Sequence, residues 1–237
     1  MLSNLSRLLT YLTAALYAIL GALLFVMPEQ LAPVFAWKVT PFMTITIGGW
    51  CLGNAWAAFL IARRWTWERV FSSLLYLALF AVGELLVVYF FRSKLNLTHP
   101  IAWLYLVTLL TNAVLACVAL IEALRSRPQL KPAEIATNAL QNTFLALFII
   151  FVGFLGMYGC IAQVGWVGTN GGIFPEVMSL FTLRSFGVFY LCIALGVAPY
   201  VKYKSRDALL NHGFISFGLI VFITAAAFVY IGVFDFA

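Results

Sequence analysis

Acidic side chains are scarce in this chain. Eight Asp and Glu occur in 237 residues, beside two His and four Cys. Charged residues make up 9% of the whole and hydrophobic ones 64%, against roughly 25% and 45–50% in a soluble domain. So few charges could not cover the surface of a water-soluble protein of this length. The four cysteines, Cys51, Cys117, Cys160 and Cys192, lie inside apolar stretches and form no CxxC pair. That placement excludes a disulfide framework and predicts free, buried thiols packing as small apolar groups.

Signatures of catalysis and cofactor binding are missing as well. There is no HExxH, GxSxG, P-loop or GxGxxG, and no pair of aspartates inside an apolar block. With one carboxyl at depth, general acid–base chemistry lacks a partner, so no enzyme activity is expected. His99 and His212 fall at opposite ends of their segments and cannot share a metal or haem; each reads as a solvated interfacial histidine. No cofactor is expected. The net charge of +6 is spread over short loops and forms no basic stripe, which argues against nucleic acid.

What the chain has in quantity is apolar residues in blocks of about twenty, the length needed to cross a ~30 Å hydrocarbon core. The blocks cover approximately 8–27, 41–62, 70–91, 100–124, 139–162, 177–201 and 208–234. They predict an all-α integral membrane protein, a bundle of seven transmembrane helices forming a single domain. The first block outlasts a signal-peptide core and ends in Met-Pro-Glu without a small-x-small site, so it reads as a retained span.

Basic residues assign the faces. Arg7, Arg63, Arg64, Arg69, Arg125, Arg127, Lys131, Lys202, Lys204 and Arg206 fall on the N-terminal side; Lys38, Arg92 and Lys94 fall on the other. This bias predicts a cytoplasmic N-terminus, an outer C-terminus and residence in the cell membrane.

Sliding the sequence by 138 residues lays spans one to three over spans five to seven without a gap. Gly21 then meets Gly159, Thr44 meets Thr182, Gly49 meets Gly187 and Arg64 meets Lys202. The pattern predicts two parallel three-helix repeats (5–92 and 139–234) joined by a linking helix at 100–124. This 3+1+3 plan resembles the architecture of the SWEET sugar transporters, which are built from parallel repeats. No apolar block carries a Pro-Gln motif, the one such pair being Pro128-Gln129 in a loop, and there is no matching proline set, so the resemblance implies an architecture and no function. The outer loops 28–40 and 163–176 occupy equivalent places and carry Phe35, Trp37, Trp166 and Phe174. Interfacial anchoring by these aromatics is the preferred reading, a gate or docking surface the alternative.

Charges inside the hydrocarbon are the most informative residues, because each is costly unless paired or hydrated. Glu84 in the third span lies roughly 12 Å below Arg92, and Arg184 in the sixth roughly 27 Å above Lys202, counted at the helical rise. Both belong to the outer half. They could form an ion pair fastening the repeats, line an outward cavity, or act separately, with Arg184 snorkelling to headgroups. Asn54 and Asn112 are the other polar groups at depth. Thr108, Asn112 and Ala116 share one helix face, suited to bridging helices or to binding a substrate. Small-residue stripes at Gly49, Gly53 and Ala57, and at Gly153, Gly156 and Gly159, predict close helix packing.

The leading functional expectation is a small transporter-like protein with a polar cavity in the outer half, its substrate a small molecule of unspecified kind. Glu84, Arg184, Asn54 and Asn112 are the candidate lining. The alternative is a non-catalytic accessory subunit of a larger membrane complex. Expected partners are membrane lipids, further copies of the chain or other membrane subunits.

Overall fold

Short polar residues start most of the helices. Ser3, Thr40, Asn138, Ser179 and Ser205 each accept a backbone N–H from the first turn that follows, and Asn138 forms a reciprocal capping box with Gln141. Inside a membrane such caps matter, because an unpaired N–H finds no water. A computed structural model describes residues 3–130, 133–169 and 177–234. In it the helices are α1 (Asn4–Val26), a single turn α2 (Pro28–Leu31), α3 (Pro41–Arg63), α4 (Trp67–Phe90), α5 (Pro100–Ser126), α6 (Ala139–Ile161), α7 (Leu180–Val197) and α8 (Arg206–Val229). Seven of them are long and apolar enough to cross a bilayer. The protein is a helical membrane bundle.

The observed ends follow the caps more than the apolar blocks. α1 begins four residues before its block because Ser3 can cap it, and α7 begins after Ser179 for the same reason. α8 stops at Val229, and a 3₁₀ turn at Ile231–Val233 completes the apolar stretch. Seven spans put the two ends of the described chain on opposite faces. The face holding Ser3 carries the basic loops and is called the basic face below.

α3 is the central helix and is nearly all buried, whereas α6 shows most of its surface to the surroundings. α1 packs on α3 and α5, α3 on α8, α4 on α5 and α7, and α6 chiefly on α7. Glycines set the tightest approaches. A Cβ on Gly49 would lie 3.1 Å from the Phe222 backbone of α8, and one on Gly159 would lie 2.6 Å from the Gly187 Cα of α7. Small residues let helix backbones approach closely where lipid supplies no hydrophobic drive.

Three expectations need correction. Cys117 is exposed on α5, and Cys160 is only partly covered, while Cys51 and Cys192 are buried; all four thiols are free. His212 is 7% exposed and is no solvated interfacial residue, because Ser73 reaches across from α4 to its Nδ1 at 2.8 Å. Phe35 and Trp37 do not anchor in the headgroup region: they are 1% and 3% exposed, folded into the protein. Trp166 is 46% exposed, as an interfacial tryptophan would be. Phe174 lies outside the described residues, as do Lys131 and Pro132.

Candidate functional site: a buried polar centre beneath an aromatic plug

Between α2 and α3 the chain turns back into the bundle. Pro28 and Pro33 start the short helix α2 and a 3₁₀ turn at Ala32–Val34, after which Phe35 runs extended. The segment Phe35–Ala36–Trp37 is buried. Trp37 stacks on Phe181 of α7, centroids 4.3 Å apart and planes at 10°, and meets Tyr105 of α5 edge-on at 5.3 Å. Its indole N–H donates to Thr182 Oγ1 at 3.0 Å. Phe35 closes the cluster against Trp37 at 4.7 Å and Tyr105 at 5.5 Å. Asn96 N–H donates to the Ala36 carbonyl at 2.8 Å, tying the plug to the α4–α5 loop.

Clefts flank this plug on the face opposite the basic one. The larger, about 570 Å³, is lined by Phe35 and Trp37 with Glu29, Lys38, Lys94 and Asn96. The smaller, about 310 Å³, lies on the side of Lys38, Ser179 and Thr182.

Glu84 sits directly inside the plug. Its carboxyl is 1% exposed, and Tyr105, the residue under both plug aromatics, donates its hydroxyl to Oε2 at 3.2 Å. The Ser185 hydroxyl of α7 faces the same carboxyl. Neither Ser185 Oγ nor Glu84 Oε1 has a hydrogen-bond partner of acceptable geometry among the described residues. Arg184 does not neutralise the carboxyl. Its guanidinium donates to the Gly159 and Ala162 carbonyls at 2.9 and 2.6 Å, the electronegative C-terminal end of α6. Adjacent positions on a helix diverge by 100° or so, which is why Arg184 turns to α6 while Ser185 turns to α4.

Both asparagines lie deeper and are fully buried. Asn112 donates to Tyr17 Oη of α1 at 3.0 Å and to the Leu77 carbonyl of α4 at 3.1 Å, so one amide joins three helices. Asn54 accepts from Tyr76 at 2.7 Å. Asn112 Oδ1 and Asn54 Nδ2 again have no partner among the described residues. The hydrogen bonds of these residues thus form three sets, Glu84 with Tyr105, Asn112 with Tyr17 and Leu77, and Asn54 with Tyr76, and Arg184 joins none of them. None of the four lines either cleft beside the plug.

A further polar stripe, not among the expected site residues, leads away from Asn112. Ser3, Ser6, Thr10, Thr13 and Tyr17 recur at heptad spacing on α1; the last four are buried. At the basic face Glu122 of α5 accepts from Ser3 N–H at 2.9 Å, from Ser3 Oγ, and from Ser6 Oγ at 2.7 Å. A carboxylate there complements the positive end of the α1 dipole. At the other end Tyr17 meets Asn112. The stripe was visible as hydroxyl residues at positions 3, 6, 10, 13 and 17; only the partner helix was not.

Compared with known protein families, characterised proteins and solved structures, the chain finds no match in any of the three.

Proposed function

We propose that the protein is a small transporter-like membrane protein whose working centre is Glu84, held shut by the Phe35–Trp37 plug. The observation that carries this reading is Glu84 itself: a carboxyl at full burial, with Arg184 turned away to α6, Tyr105 as donor to Oε2, and no partner for Oε1 among the described residues. Native proteins pair almost every buried polar atom, and an ionised carboxyl in hydrocarbon is more costly still. Retaining a buried carboxyl with no cation beside it serves packing badly and suits a group that must exchange a proton or small cation. The cleft beside the plug is the approach from the face opposite the basic one.

The packing also supports the 3+1+3 plan. α1–α3 and α6–α7 are the tightly packed pairs, while α3 crosses to α8 and α7 crosses to α4. Such an exchange of third helices is what a two-fold relation between two three-helix units produces. Gly21 and Gly159, equivalent under the 138-residue shift, each lie at the first-to-second helix contact of their unit. The basic-residue bias supports a cytoplasmic N-terminus, with the plug on the outer side of the cell membrane.

Proteoliposomes containing a pH-sensitive dye test this reading. Under an imposed potential the wild type should move protons, and Glu84→Gln should lower the rate to that of empty vesicles while leaving the melting temperature of the protein nearly unchanged. Equal rates for wild type, E84Q and empty vesicles would refute it. An accessory-subunit role is the second reading, favoured by the exposed outer surface of α6 at Ile150, Phe154 and Ile161. It predicts a native particle well above one or two chains of 26.3 kDa.

A further inference from the structure

In the half of the bundle nearer the basic face, α6, α7 and α8 enclose a lateral groove of about 680 Å³. Val197 lies on its floor, Phe144, Phe148 and Phe151 form the α6 wall, and Gly213 and Ile220 belong to the α8 wall. The three phenylalanines are 63%, 42% and 64% exposed, so the groove opens sideways to the hydrocarbon and not into the bundle.

Two features keep the groove from being a plain greasy surface. One is His212, buried and lining it. Ser73 holds its Nδ1 at 2.8 Å, whereas Nε2 has only a 3.4 Å contact with Ser216, which also lines the groove. The imidazole thus presents its less engaged nitrogen on the groove side. The other is Arg206, the first residue of α8 and exposed at the basic face. It precedes Leu209, Leu210 and Gly213, all in the groove wall, by three, four and seven positions, so it stands on the same helix face. The neighbouring carboxylate Asp207 lines a different cleft, with Glu68 and Glu134.

We propose that this groove holds one acyl chain of an anionic glycerophospholipid, with the phosphate at Arg206 and an ester oxygen at His212 Nε2. The dimensions agree. Gln141 to Phe151 spans ten residues, about 15 Å, half of a ~30 Å hydrocarbon core and hence one leaflet. His212 lies six residues inside Arg206, about 9 Å, on the way from headgroup to chain. The charge agrees as well, since nine of the described basic residues belong to this face and anionic headgroups are drawn to such clusters. The proposal is independent of any role for Glu84.

Native mass spectrometry of the full chain with added phosphatidylglycerol or phosphatidylcholine tests it. The wild type should retain one phosphatidylglycerol in preference to phosphatidylcholine. Gly213→Phe builds a ring into the groove from a position where a Cβ meets nothing within 4 Å; it should abolish that retention at an unchanged lipid-free melting temperature. Arg206→Ala should weaken phosphatidylglycerol about fivefold and remove the preference over phosphatidylcholine. Retention unchanged in G213F would overturn the proposal, as would equal binding of the two lipids by the wild type. So would displacement of the lipid by an equimolar prenyl quinone, or a wild-type dimer that G213F dissociates.

Discussion

Replacing Trp37 with alanine separates a plug from an anchor. A tryptophan lying in the headgroup layer could be truncated at little structural cost. Here the indole makes three ring contacts at centroid distances between 4.3 and 5.3 Å, each worth about 0.5–1.5 kcal/mol. Its hydrogen bond to Thr182 adds about 1 kcal/mol. Together these give about 2.5–5.5 kcal/mol, which brackets the ~3–5 kcal/mol typical of deleting a buried tryptophan. Trp37→Phe keeps the stacking and loses the N–H. Thr182 Oγ1 retains Ser179 at 2.9 Å, so that variant should cost only about 1 kcal/mol. Reversible unfolding in mixed detergent micelles measures both. A Trp37→Ala cost below about 0.5 kcal/mol, the ordinary range of surface substitutions, would refute the buried plug and return the residue to the interface.

Arg184→Ala should lower stability by about 1.5–3 kcal/mol, since it strips a charged donor from two α6 carbonyls, and should leave flux through Glu84 intact; thermal shift and vesicle assays read the two effects separately. Glu122→Gln should cost about 0.3–1 kcal/mol by weakening the charge at the α1 N-terminus. Faster amide exchange confined to the first turn of α1 would reveal it. Gly159→Val should force α6 away from α7 at a cost of about 1–3 kcal/mol, whereas Gly232→Ala, where a Cβ meets nothing within 4 Å, should be silent in the same unfolding assay.

The spans could be read from the sequence because block length and hydrocarbon thickness are the same quantity, and the caps displaced their ends by only a few residues. Glu84, Asn54 and Asn112 could be singled out because polar groups at depth are few. Their partners could not be. A guanidinium seeking the end of a helix and one seeking a carboxylate look alike in sequence, and Arg184 chose the former. Phe35 and Trp37 carry the same composition as an interfacial belt; what sends them inward is the short path allowed by Pro28 and Pro33 and the pairing of Ala36 with Asn96. For His212 a signal did exist, a serine four residues on at Ser216, but the decisive Ser73 is 139 residues away in sequence.

The polar stripe of α1 sets a timetable for synthesis. Its partners Asn112 and Glu122 follow Tyr17 and Ser6 by 95 and 116 residues. At roughly 5–20 residues per second the first helix waits on the order of 5–20 s for α5 to emerge. Over that interval an exposed hydroxyl in lipid must satisfy itself. Thr10 does so by donating to the Ser6 carbonyl one turn back, at 2.7 Å, a bond that needs no other helix. Tyr17 reaches no carbonyl of its own helix and becomes satisfied only when α5 docks. Thr10 alone of the stripe is thus shown to keep its own company until the bundle closes; Ser3 and Ser6 wait for Glu122, and Tyr17 waits for Asn112.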